Sequence, residues 1–269
     1  MTQYAVVGNP VAHSKSPQIH RLFAEQTGED VQYEKYQVEA DEFDTFVTEF
    51  FAAGGGGLNV TLPHKQAAFE LARQKSTQTD LAKAANTLWL NSDGELQAEN
   101  TDGTGLVNDL QKNNQFSIAD KHILMLGAGG AARGALAALA AEKPASILVL
   151  NRTLARAEAL QSDFAPIFEL QTGSYDATPD QQYELVINAT AMSIAGEVPA
   201  ISPHFLAPGC CCYDMMYGDE KTAFMLWAEQ QGAQMVLDGL GMLVEQAAES
   251  FYLWRGVKPQ TADVIAALR

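Results

Sequence analysis

The sequence predicts an α/β protein of two domains, an N-terminal α/β domain and a second domain built on a doubly wound parallel sheet. Three observations predict it. Short apolar runs of strand length alternate with amphipathic or Ala-rich stretches of helix length. From Lys121 the rhythm is strand–helix–strand, which requires parallel strands covered on both faces. The 269 residues approach two domains of roughly 150 residues each, and 47% hydrophobic content supplies ample core.

The elements follow in order. Tyr4 to Val7 is an apolar run ending at Gly8-Asn9-Pro10, a strand and a loop. Ser16-Pro17 reads as N-cap and first residue of a helix. Val31 to Val38 is a second strand. Phe43, Phe46, Val47, Phe50 and Phe51 repeat at helical spacing, and Gly54 to Gly57 ends that helix. Leu58-Asn59-Val60 is a strand, and Pro63 opens another helix. Thr87 to Leu90 and Leu96 to Ala98 flank Asn91-Ser92-Asp93-Gly94, a hairpin with its turn. A helix follows from about Thr104 to Leu110. In the second half, Ile123 to Leu126 and Ile147 to Leu150 are strands. Helices Ala131 to Ala141 and Leu154 to Phe164 follow them. Leu185 to Ile187, Cys210 to Tyr213 and Met235 to Leu237 give later strands, and Leu240 to Trp254 and Thr261 to Leu268 terminal helices.

Composition excludes some functions. Lys plus Arg total 17 against 33 Asp plus Glu, a net charge of −16 that repels nucleic acid and anionic membranes. MTQYAVVGNP lacks the basic and apolar regions of a secretory signal, and no apolar run is long enough to span a bilayer. The expected location is therefore cytoplasmic. Cys210, Cys211 and Cys212 are consecutive, so they suit a buried strand better than a disulfide framework or a metal site, and no metal is expected. Charge is unevenly placed. Residues 25–50 hold nine acids and one lysine, whereas residues 121–156 hold five basic residues and one acid. The second stretch marks a candidate anion site.

That stretch contains Gly127-Ala128-Gly129-Gly130-Ala131-Ala132, which fits G-x-G-x-x-A between a strand and a helix. The first Gly permits the tight turn, the second lets backbone approach a pyrophosphate, and the helix start presents N–H groups to it. The next strand ends at Asn151-Arg152-Thr153, 24 residues after Gly127. An acidic residue there would hold a ribose 2′-hydroxyl. Arg152, with Arg156 one helical turn later, suits a 2′-phosphate instead. The expected cofactor is NADP, on a Rossmann-type domain.

Three clusters in the first hundred residues carry chemistry-bearing side chains. Ser14-Lys15-Ser16-Pro17 offers hydroxyls before a helix, a cradle for a carboxylate, although capping alone accounts for Ser16 equally well. Asn59 and Thr61 share a strand face, with Lys65 just inside the next helix. Asn86 and Asn100-Thr101-Asp102-Gly103 bring amide and carboxylate groups to element ends, where turn chemistry is the plain alternative.

Together with the Gly127 turn, Asn151-Arg152-Thr153 and Asp238-Gly239-Leu240-Gly241-Met242-Leu243-Val244-Glu245-Gln246-Ala247-Ala248, these clusters resemble the shikimate dehydrogenase family over nearly the whole chain. The resemblance implies a substrate domain, residues 1–102 and 239–269, and an NADP-binding domain, residues 103–238. It implies reversible reduction of 3-dehydroshikimate to shikimate in aromatic amino acid biosynthesis. Lys65 and Asp102 would be the acid/base pair. Ser14 and Ser16 would hold the substrate carboxylate, with Tyr217 nearby. Asn59, Thr61, Asn86 and Gln246 would serve the substrate pocket. Gly127, Ala128, Gly129, Gly130, Ala131, Asn151, Arg152, Thr153, Arg156 and Thr190 would bind NADP. Met215, Gly239 and Met242 would lie near the nicotinamide. Two departures stand out: Ala191-Met192 replaces the Ser and Gly usual after this Thr, and Lys83-Ala84-Ala85-Asn86 lacks the Gly often found before this Asn. A quinate/shikimate dehydrogenase paralogue and a dinucleotide-sensing regulator are the competing readings. Monomer and homodimer both remain open.

Overall fold

The computed structural model describes residues 2–269, apart from the side chain of residue 194. Its two compact units are Met1–Gly105 with Leu243–Arg269, and Leu106–Met242.

The first unit is built on β1 (Thr2–Gly8), α1 (Ser16–Thr27), β2 (Val31–Gln37), α2 (Phe43–Ala52), β3 (Gly57–Val60), α3 (Lys65–Leu71), β4 (Gln74–Lys75), α4 (Thr77–Ala82), β5 (Thr87–Leu90), β6 (Leu96–Glu99) and α5 (Asp102–Asn108). Its six strands run in the order β2-β1-β3-β5-β6-β4. β1 lies parallel to β2 and β3, whereas β5 is antiparallel to β3 and β6, so this sheet is mixed. The β5–β6 hairpin follows from its turn. Asn91 Oδ1 accepts the N–H groups of Asp93 and Glu95, and Gly94 takes a positive φ. The apolar face of α2 buries Phe43, Val47, Phe50 and Phe51 against Ala5, Val7, Leu58 and Val60. Full burial of each large side chain contributes roughly 1.5–3 kcal/mol.

The second unit begins at Leu106 within α5, which continues into a π-helical turn, Asp109–Asn113. β7 (His122–Leu126), α6 (Gly130–Ala141), β8 (Ser146–Leu150), α7 (Leu154–Phe164), β9 (Leu170–Gly173), β10 (Tyr183–Asn188), β11 (Leu206–Asp214), α8 (Ala223–Gln230) and β12 (Met235–Leu237) follow. All pairings are parallel, in the order β12-β11-β10-β7-β8-β9. This is the doubly wound Rossmann order, with its direction reversing between β7 and β10. Cys210, Cys211 and Cys212 are buried in β11, and burial pushes the Cys211 thiol up to about 12. Two helices close the chain, α9 (Leu240–Arg255) and α10 (Ala262–Leu268). Among the described residues no helix is long and apolar enough to cross a membrane.

Two helix starts differ from expectation. Ser16 is the first residue of α1, not its cap, and its N–H donates to Ser14 Oγ at 3.2 Å. Helix α3 begins at Lys65, two residues beyond Pro63, with His64 as its N-cap residue. His64 is held by Nε2 against the Val38 carbonyl oxygen at 2.8 Å and by its ring against Phe43.

Candidate active site

Lys65 stands at the head of α3 and Asp102 at the head of α5. The Lys65 Nζ donates to Asp102 Oδ2 at 2.5 Å. Both side chains are largely buried, 26% and 13% exposed, which leaves the ammonium group some solvent access. Asp102 Oδ1 accepts from Asn86 Nδ2 at 2.9 Å, and the Asp102 N–H donates to Asn100 Oδ1 at 3.1 Å. The carboxylate is thus oriented on both oxygens. A charge-assisted contact of this length is roughly twice as strong as a neutral hydrogen bond.

Asn86 links this pair to α9. Its Nδ2 also donates to Gln246 Oε1 at 3.1 Å, and its Oδ1 accepts the Thr101 N–H at 2.9 Å. Gln246 Nε2 is held by the Leu243 carbonyl at 2.7 Å. The Thr61 backbone N–H donates to the Val7 carbonyl, and the side chain is half-buried at the end of β3. The structure therefore brings Lys65, Asp102, Asn86 and Gln246 into one hydrogen-bonded group.

A second group surrounds the two serines. Ser14 Oγ donates to Ser16 Oγ at 3.1 Å. The Tyr33 hydroxyl, which bonds Ser16, donates to Asn59 Oδ1 at 2.7 Å. Burial pushes the Tyr33 phenol well above its ordinary range, so it stays protonated. Asn59 is buried with its amide fully engaged. Oδ1 also meets His20 Nε2 at 3.1 Å, and Nδ2 donates to the Asn86 carbonyl and Ser250 Oγ at 3.2 and 3.0 Å. Ser250 in turn meets Thr87 Oγ1 at 2.7 Å. Tyr33, His20 and Ser250 have no motif around them in the sequence, because each reads as core. The one available signal is Ser250 standing four residues, one helical turn, after Gln246.

His20 carries a pH consequence. It is fully buried and stacked on Tyr33 with ring centroids 4.2 Å apart, and its Nδ1 has no hydrogen-bond partner. Burial lowers its pKa to about 3. The folded protein holds His20 neutral, whereas the unfolded chain protonates it below about 6.5. Stability is intact above pH 6.5 and falls as pH drops from there toward 3, by about 1.4 kcal/mol per pH unit. Urea unfolding at pH 7 and pH 5 should show a loss about 2 kcal/mol smaller in His20→Gln than in the parent. Parallel losses would assign the acid sensitivity to other groups.

The cofactor residues expected in the second unit gather at the carboxyl ends of β7, β8, β10 and β11. Gly127 takes φ 104°, a conformation open to glycine, and a side chain there would press on Thr190 and the Ala189 carbonyl. A Cβ at Gly129 or Gly130 would meet no protein atom within 4 Å. Backbone at the head of α6 is thus accessible to a pyrophosphate, and Ala128 and Ala131 beside it are small. Arg152 and Arg156 are exposed at the start of α7, beside Thr153, while Asn151 Nδ2 donates to the Thr153 carbonyl at 2.8 Å. Arg152 faces the Tyr175 phenol electrostatically.

The loop after β10 is held despite Ala191 and Met192. Asn188 Oδ1 accepts the Thr190 N–H and hydroxyl at 3.1 and 2.7 Å, and Asn188 Nδ2 donates to Ser193 Oγ and Asp214 Oδ1, both at 3.1 Å. Asp214 also accepts from Ser193, Thr222 and the Met216 N–H. Met215 N–H donates to the Asn188 carbonyl, and Gly239 N–H to the Met216 carbonyl, both at 3.0 Å. Gly127, Thr190, Met215 and Gly239 are therefore linked by successive contacts, with the two glycines buried and Thr190 and Met215 half-buried. Tyr217 lies half-buried beyond β11, its phenol raised by burial. Lys83, at the other departure, is left-handed at φ 49° and ends α4, a position that favours glycine.

Comparison with known proteins matches three family models: the shikimate dehydrogenase substrate binding domain over residues 6–88, shikimate / quinate 5-dehydrogenase over 109–194, and the shikimate 5'-dehydrogenase C-terminal domain over 239–269. A curated relative from Cellvibrio japonicus, named shikimate dehydrogenase (NADP(+)), is 50% identical over 99% of this chain and 96% of its own. The chain belongs to the shikimate dehydrogenase family. Among solved structures of similar fold, an Ael1 enzyme from Pseudomonas putida gives a TM-score of 0.95 at 40% identity, covering 100% of this chain and 98% of that one. A shikimate 5-dehydrogenase from Thermus thermophilus, solved in complex with NADP(H) and shikimate, gives 0.88 at 30% identity, with 99% and 98% covered.

Proposed function

We propose that this protein is an NADP-dependent oxidoreductase that reversibly reduces 3-dehydroshikimate to shikimate, a step of aromatic amino acid biosynthesis. The observation that carries the proposal is the Lys65–Asp102 pair, oriented by Asn86 within a cluster that reaches Gln246. Family membership and the names of the curated relatives support the substrate and the cofactor. The first unit serves the substrate and the second the dinucleotide. The enzyme is cytoplasmic, as a monomer or homodimer, and its partners are small molecules.

NADP, when bound, supplies or accepts the hydride. Gly127, Ala128, Gly129, Gly130 and Ala131 would hold its pyrophosphate, and Asn151, Arg152, Thr153 and Arg156 its 2′-phosphate. Thr190, Met215, Gly239 and Met242 would face the nicotinamide. Lys65, with one N–H directed to Asp102, turns its remaining donors to the substrate carbonyl oxygen. In reduction it gives that oxygen a proton and stabilises the developing charge. In oxidation it takes the proton from the hydroxyl. Asp102, Asn86, Thr61 and Gln246 orient the ring hydroxyls. Ser14 and Ser16, at the head of α1, hold the carboxylate. Asn59 acts at one remove, since its amide is already engaged by Tyr33, His20 and Ser250.

NADPH formation from shikimate, run beside quinate and beside NAD, tests the proposal. Turnover with shikimate and NADP supports it. Equal turnover with quinate or NAD would indicate the broader paralogue, and silence with every pairing would indicate a dinucleotide sensor. A sharper test lies in the glycine turn. Gly129→Ala should leave the melting temperature unchanged, because the added methyl touches no protein atom. It should weaken NADP by about tenfold, because the methyl meets the pyrophosphate. A variant that loses stability and keeps its affinity would remove Gly129 from the cofactor site.

A further inference from the structure

Asp109 is buried, and the hydride and proton steps proposed above do not call on it. It opens the π-helical turn Asp109–Asn113, in which the Asn114 N–H donates to the Asp109 carbonyl at 3.1 Å. A π turn rotates the side chains that follow it relative to the helix before it. Here the carboxylate meets the start of α9. Asp109 Oδ2 accepts from the Tyr213 hydroxyl at 2.7 Å, and Oδ1 accepts from Asn113 Nδ2 at 3.0 Å. Any side chain at Gly241 would collide with the Asp109 carboxylate, so glycine alone permits this approach. The Met242 backbone N–H is directed toward the Tyr213 hydroxyl. Burial and the neighbouring carboxylate hold that phenol well above its ordinary range, so it remains a donor to Asp109.

The first turn of a helix carries unpaired N–H groups and favours a negative charge. In α9 Asp238 accepts the Leu240 N–H at 3.2 Å, and the Asp109 carboxylate, held by Tyr213, supplies a negative charge beside Gly241. Gly239, immediately before α9, packs against the Met215 carbonyl, where a side chain would collide. One buried carboxylate thus bears on residues 241 and 242, next to those assigned to the nicotinamide wall.

We propose that Asp109, Tyr213 and Gly241 form a clasp that fixes the first turn of α9 and so positions Gly239 and Met242 against the nicotinamide. The inference rests on the reading that those two residues face that ring. Asp109 is a positioning residue, because it touches neither reactant and acts through the helix.

Asp109→Asn, Tyr213→Phe and the double variant test it in the full-length enzyme. Hydrogen exchange at the Met242 amide should be about tenfold faster in each single variant. NADPH affinity, read by fluorescence titration, should stay within about threefold, while kcat falls about tenfold and KM for 3-dehydroshikimate barely moves. The isotope effect with C4-deuterated NADPH should rise. The double variant should be no worse than the poorer single one, because both break one clasp. If Asp109→Asn fails to fold, Tyr213→Phe carries the test. Folded variants with parental exchange, kcat and isotope effect would overturn the clasp. Met242→Ala, run in parallel, separates the two failures. If it slows hydride transfer while the clasp variants do not, only the clasp is wrong. If all are silent, the start of α9 does not face the nicotinamide.

Discussion

Lys65→Met should lower kcat by roughly 10³-fold while KM for shikimate shifts only a few-fold. Methionine keeps the length and apolar stem of lysine and removes the proton donor and the charge. The charge is needed most when the substrate oxygen becomes an alkoxide, so the loss falls on the transition state. Asp102 sharpens the test. Without Lys65, its Oδ2 loses the 2.5 Å contact while Oδ1 keeps Asn86. Asp102→Asn should therefore be damaging alone and add little on top of Lys65→Met, since residues that act as a unit are not additive. Steady-state kinetics in both directions on the four proteins measures this. A Lys65→Met enzyme within tenfold of the parent kcat would remove Lys65 from the acid/base role.

Arg152→Ala should weaken NADP by about 10–100-fold, the worth of one or two charged hydrogen bonds, and leave NAD almost unchanged. The reason is placement. Arg152 and Arg156 project from the start of α7, where a helix N-terminus disfavours cations unless an anion is near. A 2′-phosphate supplies that anion and two guanidinium groups can share it, so Arg156→Ala should be the milder change. Added salt should weaken NADP in the parent more than in Arg152→Ala. Equal losses for NADP and NAD would show that Arg152 does not read the 2′-phosphate.

The legibility of the chain divides along physical lines. The parallel sheet is legible because its strands are continuous apolar runs buried on both faces, as at Ile123 to Leu126 and Ile147 to Leu150. The phenylalanine stripe of α2 and the Asn91–Gly94 turn are equally plain. The segment from Gln74 to Ala82 is not, because a two-residue strand and a six-residue helix are too short for periodicity to register. β9 has four residues and the same difficulty. α8 escapes the pattern although Thr222 caps it, accepting the Met225 N–H at 3.2 Å, because its residues are apolar on nearly every side. The unit boundaries fall inside α5 and α9, where the helical pattern continues and no linker composition marks a change. In the site, Lys65, Asp102, Asn86 and Gln246 are legible as motif members. The buried partners of Asn59 are not, since Tyr33, His20 and Ser250 have no distinguishing neighbours in the chain. Asp109 is equally silent, because a π turn leaves no mark in the hydrophobic pattern.

The first unit takes residues from both ends of the chain, Met1–Gly105 and Leu243–Arg269, whereas the second is one unbroken stretch. Ser250 joins the network around Asn59, Trp254 Nε1 donates to the Leu88 carbonyl at 3.3 Å, and Arg255 pairs with Glu29. A ribosome releases the chain from its N-terminus, so the part begun first is the part completed last. The middle of the protein can finish folding while the N-terminal sheet still waits for α9. Until then Asn59 and the β1–β3 surface lack their covering helix, and the nascent first unit is exposed to aggregation for the time it takes to synthesise the rest.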